Sequence, residues 1–332
     1  MKLARIDRGL RHEDWHVVLG EEAFTFALVE SGSPLPRGGG DDIADKFFAK
    51  QQFRLIELMY MYRNGGLSVQ VDRLGRLNEN EFRDWRRALN SLGNSWLPPV
   101  EATSFRDFYA FEAHVRDARK RRGLEMVPEW YDAPAFYFSN TASIVGHGAA
   151  IRKPAETNEL DYELEIAVVI GREGGDIPVA EADAYIAGFT ILNDWSARDI
   201  QRQEMKVGLG PAKGKDFATS LGPYLVTPDE LEDRVQPDTS RGKRYDLEMA
   251  ATVNGREYSR GNAKDMNWTF AELIAHASRN TVLKAGDLIG SGTVGTGCIT
   301  EFPEGTYPWL QPGDVVRLEI ERLGALENRV VG

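Results

Sequence analysis

The sequence predicts a strand-dominated α+β protein with a smaller N-terminal domain over residues 1–98 and a main body over residues 99–332. Three observations carry this. Apolar or alternating runs bounded by turn residues recur through the main body. Helical stretches are fewer and do not alternate regularly with the strands, as βαβ units would require. The segment Leu97-Pro98-Pro99-Val100 separates two regions of different texture.

In the first region, Trp15–Val29 (WHVVLGEEAFTFALV) reads as two strands across a turn at Gly20-Glu21. The Gly/Pro-rich stretch Gly32–Gly40 reads as a loop. Asp42–Arg63 has apolar positions Phe47, Phe48, Leu55, Ile56 and Leu58 and is expected to be helical, as is the shorter Glu81–Ser91. In the second region the expected strands are Leu164–Ile170, Tyr185–Leu192, Tyr224–Val226, Leu247–Val253, Asp287–Gly290 and Asp314–Glu321. Helices are expected near 107–122, 180–187, 196–206 and 268–278. There is no internal repeat and no low-complexity tract.

Bulk properties exclude several function classes. The 332 residues, 42% of them hydrophobic, suffice for one large core or two smaller ones. A formal net charge of −11 argues against nucleic acid, whose phosphates need clustered Lys and Arg. The longest basic run, Arg119-Lys120-Arg121-Arg122, reads as a solvated helix end rather than an anion site. A lone cysteine, Cys298, excludes an intrachain disulfide framework and a cysteine zinc site. It lies in a Gly-rich turn with no His nearby in sequence and reads as an inert structural thiol. The N-terminal MKLARIDRGLRHEDW is charged throughout, unlike a signal peptide, and no stretch approaches the ~18–20 apolar residues of a membrane span. Cytoplasmic residence is expected, which makes the sequon Asn267-Trp268-Thr269 a chance match.

Two Gly-rich segments resemble nucleotide motifs and fail on context. Gly290-Ser-Gly292-Thr-Val-Gly295 fits G-x-G-x-x-G, but Thr296-Gly297-Cys298-Ile299 is a poor helix start. Gly210–Asp216 is too short for a P-loop and places Asp216 where Ser or Thr must meet the metal.

Three segments concentrate polar chemistry. In Leu160–Ile166, strand alternation puts Asp161, Glu163 and Glu165 on one face. Like charges there repel, so either the face is solvated or a hard cation compensates it. In Thr190–Gln201 an apolar strand ends at Asn193-Asp194 and a helix begins near Ser196. Asp194 or Ser196 could cap that helix. Arg198 and Gln201 point the same way at i, i+3, as an oxyanion site or as a surface pair. In Arg106–His114, a helix opened by Asp107 would align Asp107, Phe111 and His114. His114 could then be a general base near a metal or a partly buried structural residue.

Taken together and in order, these segments resemble the fumarylacetoacetate hydrolase family over roughly residues 100–330. The strongest motifs are Asp161-Tyr-Glu163-Leu-Glu165, Asn193-Asp194-Trp-Ser-Ala-Arg198-Asp-Ile-Gln201, Lys213-Gly-Lys215-Asp-Phe-Ala-Thr219 and Gly290-Ser-Gly292-Thr293. The resemblance implies a mixed β-roll, usually dimeric, with a catalytic domain at 99–332. It implies that Asp107, Glu163, Glu165 and Asp194 bind a divalent cation: Mg²⁺ first, with Mn²⁺ or Ca²⁺ as alternatives. It makes His114 the general base. Arg198, Gln201 and Lys215 contact substrate oxygens or stabilise developing charge. Tyr109, Tyr137, Gly292 and Thr293 contact substrate, and Thr219 touches a second cation. Glu301 is a candidate for the glutamate that orients His114. Asp161 matches no ligand position and is expected to lie outside the cation's contacts or at the surface.

The implied reaction is hydrolysis of a C–C bond in a small 1,3-dioxo acid such as fumarylacetoacetate or an acylpyruvate. The cation acts as a Lewis acid, an enolate leaves, and His114 takes a proton from water. A decarboxylase, isomerase, hydratase or dehydratase of a 2-oxo acid would use the same site. A non-catalytic, metal-stabilised oxo-acid binding protein is the alternative of a different class. Neither nucleic acid nor membrane is an expected partner; a second copy of the chain is.

Overall fold

The structure is a computed structural model that describes residues 2–7, 13–19, 22–25, 87–88, 96–121 and 123–332. The first strands are β1 (Lys2–Asp7), β2 (Glu13–Leu19), β3 (Glu22–Thr25) and β4 (Arg87–Ala88). Next come β5 (Phe105–Phe108), helix α1 (Glu112–Arg121), the short helix α2 (Glu129–Asp132), β6 (Phe136–Phe138), β7 (Ile144–Val145), β8 (Ala150–Arg152) and β9 (Leu160–Asp161). The centre of the chain forms β10 (Leu164–Ile170), β11 (Gly174–Gly175), α3 (Val179–Ala182), β12 (Ile186–Asp194), β13 (Ser196–Ala197), α4 (Arg198–Val207) and β14 (Thr219–Val226). The rest comprises β15 (Glu248–Val253), β16 (Arg256–Asn262), α5 (Phe270–Ser278), β17 (Val282–Leu283), β18 (Leu288–Gly290), β19 (Val315–Ile320) and β20 (Gly324–Val331).

Two sheets organise sixteen of these strands, with β9–β13 and β11–β17 as separate pairs, so the strand-dominated α+β class holds. The larger runs β4-β3-β2-β1-β14-β12-β10-β18-β5-β6, with β7 beside β14. The smaller runs β16-β15-β19-β20-β8. Parallel pairs (β18 with β5, β7 with β14, β20 with β8) make both sheets mixed. β10 and β12 are buried at every residue. Strands covered on both faces read as continuous apolar runs, as LEIAVVI and AGFTIL do. β15 and β19 instead alternate, burying Met249, Ala251, Val253 and Val316, Leu318, Ile320. These pack with Ile166, Val168, Phe189 and Ile191 into one core cluster. Helix α5 adds Phe270, Leu273 and Ile274 to that core. Its start is fixed by a capping box in which Thr269 and Glu272 satisfy each other's backbone N–H groups.

Several expectations are corrected. The helix expected over 107–122 begins only at Glu112, because Asp107 lies on β5, paired with Gly290 of β18 and Tyr137 of β6. Asp107, Phe111 and His114 do fall at helical spacing, but sheet pairing claims the first of them and only His114 lies on the helix. The helix expected over 180–187 is a single turn, α3, after which a 3-10 turn leads into β12. Within Glu81–Ser91, Arg87–Ala88 form β4 against β3 rather than helix, and the other residues of that stretch lie outside the described residues. Gly32–Gly40 and Asp42–Arg63 also lie outside them. The N-terminal hairpin forms with Leu19 opposite Glu22, which places its turn at Gly20-Glu21. β1 pairs with β14, so the larger sheet continues from the main body into the N-terminal residues. No helix among the described residues is long and apolar enough to cross a membrane.

Candidate active site

Three strand termini converge where the four acidic residues lie. Glu163 immediately precedes β10, Glu165 is its second residue, Asp194 ends β12, and Asp107 sits on β5. Their carboxylate oxygens all lie within 4.8 Å of one another, and all four residues are buried. The Asn193 side chain fixes the turn by accepting the Glu163 N–H at 3.0 Å. Close approach of β18 to Asp107 requires glycine: a Cβ on Gly290 would stand 2.4 Å from Asp107 Oδ1. Gly292 is required as well, with φ of +75° and Phe108 O 2.3 Å from where a Cβ would be. These glycines therefore serve backbone approach, and a 3-10 turn (Ile299–Glu301) follows rather than a nucleotide-binding helix.

Asp161 does not join the cluster. Strand β9 ends at Asp161, where it pairs with Ser196 of β13, and the alternation that would have aligned it with Glu163 is broken. The surface location allowed for it is corrected: Asp161 is fully buried and hydrogen-bonded.

Two cations border the cluster. Lys215 Nζ donates to Glu163 Oε2 at 2.5 Å and to Asp194 Oδ2 at 2.6 Å. Arg198 NH2 lies 2.9 Å from Glu163 Oε1, and its NH1 donates to Gln201 Oε1 at 3.1 Å. Tyr137 donates its hydroxyl to Asp194 Oδ2. Burial would raise the Glu163 carboxyl, but Lys215 and Arg198 together outweigh it and hold the group at about 2. Asp107 and Glu165 have no such partner. Burial, then the neighbouring carboxylates, push both well above the usual carboxylate range. Burial also raises Asp194, with Lys215 opposing.

The donor set fits a hard divalent cation. Asp107 Oδ1, Glu165 Oε2 and Asp194 Oδ1 are buried and have no hydrogen-bond partner. Three unpartnered anionic oxygens from three strands, converging in one place, are costly without a cation. An all-oxygen, carboxylate-rich site suits Mg²⁺, Mn²⁺ or Ca²⁺ rather than a soft metal. Thr293 Oγ1 lies 3.4 Å from Glu165 Oε1, and the Thr219 hydroxyl, opposite Asp194 on β14, is buried without a partner.

Beside the carboxylates stands a second group. His114, in the first turn of α1, is buried with Nδ1 2.5 Å from Glu301 Oε1. Glu301 Oε2 accepts the Thr296 N–H at 2.6 Å, and Cys298 Sγ lies 3.4 Å from Oε1. Tyr109 meets the His114 ring edge-on at 5.3 Å. The last turn of α1 is tied to this loop by Arg121, which donates to Phe302 O. Sequence reasoning missed the place of Cys298 here: no histidine is near it in sequence, yet His114 and Glu301 surround it in space. Burial pushes its thiol well above the usual range, away from the thiolate that a nucleophile needs.

The sequence matches the family model described as fumarylacetoacetate (FAA) hydrolase C-terminal over residues 103–331. Fumarylacetoacetase of Rattus norvegicus is 32% identical over 257 residues, covering 65% of this chain and 61% of the relative. A mitochondrial oxaloacetate tautomerase of the same organism is 37% identical over 201 residues, covering 60% and 59%. The chain thus spans about three fifths of the length of these curated relatives. Among solved structures, a 5-carboxymethyl-2-hydroxymuconate delta-isomerase from Mycobacterium smegmatis superposes with a TM-score of 0.62 at 25% identity, covering 100% of this chain and 99% of that one. A fumarylacetoacetate hydrolase from Exiguobacterium antarcticum shares the fold with a TM-score of 0.66 at 23% identity and the same coverage. From the extent of the family match, the chain belongs to the fumarylacetoacetate hydrolase family, which holds hydrolases as well as isomerases and tautomerases.

Proposed function

We propose that the protein hydrolyses a C–C bond in a small 1,3-dioxo acid such as fumarylacetoacetate or an acylpyruvate. The observation that carries this reading is the buried His114–Glu301 pair beside the carboxylate cluster. A tautomerase or isomerase moves protons only, whereas hydrolysis needs a base that activates water. His114 Nδ1 is committed to Glu301, which leaves Nε2 to take the proton.

Asp107, Glu163, Glu165 and Asp194 would hold the divalent cation, with Mg²⁺ proposed first and Mn²⁺ or Ca²⁺ as alternatives. A fumarylpyruvate hydrolase from Pseudomonas aeruginosa, similar in fold at 22% identity, was solved with Mn²⁺ and pyruvate. When bound, such a cation supplies Lewis acidity toward carbonyl oxygens. Arg198 and Lys215 bring positive charge to the same place, and with Gln201 they face the oxyanion that develops at the attacked carbonyl. Tyr109, Tyr137, Gly292 and Thr293 line the approach and orient the acid. Burial of the four carboxylates, His114, Arg198 and Lys215 limits bulk water there and strengthens each charge interaction, while Tyr109, Tyr137 and Gln201 are half-buried.

A second reading is favoured by one observation: the oxaloacetate tautomerase is the relative with 37% identity. The same site would then shuttle a proton between carbon and oxygen. Cleavage, as against keto–enol interconversion, by the wild type separates the two, and His114→Ala tests the base. That substitution should abolish C–C cleavage of acylpyruvates or fumarylacetoacetate, and unchanged cleavage would remove His114 from the mechanism.

A further inference from the structure

The two halves of the site, the carboxylate cluster with Arg198 and the His114–Glu301 pair, are joined by a residue that belongs to neither. Asp161 is fully buried, and both its oxygens are occupied. Oδ1 accepts the N–H groups of Tyr162 at 2.9 Å and Ile299 at 2.8 Å. Oδ2 accepts Arg198 Nε at 2.9 Å and the Thr300 N–H at 3.1 Å. Ile299 and Thr300 immediately precede Glu301 in the 3-10 turn Ile299–Glu301. That turn's own N-cap, Cys298, gives it no side-chain cap. The orphan N–H groups at its start are therefore satisfied from a distant strand.

We infer that Asp161 is a positioning residue that sets Arg198 and Glu301 at once, and so fixes the substrate-facing cation relative to the base. This rests on the reading of His114–Glu301 as the general base. A cap alone would not call for this residue. A Ser or Asn at the N-cap of the turn would satisfy its N–H groups locally, without burying a charge. A buried carboxylate is warranted where it also meets a buried guanidinium, and Arg198 Nε fills that role. Asp161 takes one donor from the cluster side and two from the base side. Displacing it releases both.

The test uses the full chain loaded with diamagnetic Mg²⁺ and two readouts that need no turnover. One is affinity for oxalate, a probe with adjacent acid oxygens, which reports the Arg198 charge. The other is the low-field proton resonance of the His114–Glu301 hydrogen bond. Asp161→Asn keeps an acceptor for Tyr162 and Ile299 but turns an amide N–H₂ toward two donors, Arg198 Nε and Thr300 N. Oxalate affinity should fall about tenfold, the size of one lost charge-assisted hydrogen bond, and the His114 resonance should move or vanish. Mg²⁺ affinity should stay within about threefold, the context-dependence of a single contact. Asp199→Asn is the control. Asp199 also caps a nearby loop, accepting from Thr157 Oγ1 and Asn158 N, but makes no bond to Arg198, so it should change neither readout.

If Asp161→Asn does not fold, Arg198→Gln decides. Among the described residues no hydrogen bond joins Arg198 to His114 or Glu301, yet through Asp161 its loss should still shift the His114 resonance. An unmoved resonance in Arg198→Gln overturns the proposal, as does Asp161→Asn altering only one readout or neither. If the wild type hydrolyses no substrate while both readouts respond as stated, the hydrolase reading fails and the positioning role stands.

Discussion

Glu165→Gln should stabilise the cation-free protein and weaken the response to cation. Glu165 Oε2 is buried without a partner, and three other carboxylates lie within 4.8 Å of it. Two unit charges at that separation repel by about 3.5 kcal/mol at an effective dielectric of 20. Lys215 and the raised proton affinity of Glu165 relieve part of this, leaving about 1–3 kcal/mol for one removed charge. At about 2–4 °C per kcal/mol for a large chain, the melting temperature in chelator should rise by about 2–12 °C. In the wild type, a cation at a hundredfold excess over its Kd adds about 2.7 kcal/mol, and the variant should lose most of that gain. Calorimetry in chelator and in excess Mn²⁺ measures both. A variant that melts below wild type in chelator, or keeps the full Mn²⁺ shift, would refute the reasoning.

The pH dependence separates Glu165 from Glu163. Asp107 and Glu165 titrate higher in the folded chain than their ordinary 3.8 and 4.5, so they stabilise most below those values, and that stability is lost as pH rises through the raised folded values. Glu163 is opposite: from 4.5 it drops to about 2, so its stability is present above 4.5 and is lost as pH falls toward 2. Stability measured against pH in chelator should therefore show Glu163→Gln removing an acid-side loss and Glu165→Gln removing a loss toward neutrality. Lys215→Met strands Glu163 and Asp194 without their ammonium and should cost about 3–5 kcal/mol in denaturant unfolding without cation. A loss under about 1 kcal/mol would mean that pairing is weak. Gly290→Ala drives a methyl into Asp107 Oδ1 and should lower Mn²⁺ affinity by about 10-fold or more by titration calorimetry, while unchanged affinity would show that Asp107 is not a ligand.

Local pattern made the sheets legible. β10, β12, β15, β18 and β19 carry apolar or alternating runs that survive any packing, and they were readable as such. β16 (REYSRGN) and β20 (GALENRVV) lack that pattern and owe their pairing to neighbours in the smaller sheet. Asp107 was misread as a helix residue because Asp107, Phe111 and His114 fall at helical spacing, while the partners that make it a strand lie far away in sequence. The side-by-side placement of Glu163 and Glu165 was visible from alternation. The separation of Asp161 was not, because nothing local announces that β9 stops there. The pairing of His114 with Glu301 spans 187 positions and is set by the turn after β18, which no periodicity reports. Glu301 could be named as a candidate, but only the fold brings it to the ring.

The central claim is that these residues break a C–C bond by activating water. Product analysis of the Mn²⁺- or Mg²⁺-loaded protein with acylpyruvates, fumarylacetoacetate, oxaloacetate and 2-oxo sugar acids tests it most directly. The account predicts cleavage of an acylpyruvate or fumarylacetoacetate into two acids, with one oxygen from labelled water in the acid formed at the attacked carbonyl. Interconversion of keto and enol forms without cleavage, or no turnover of any of them, would contradict it.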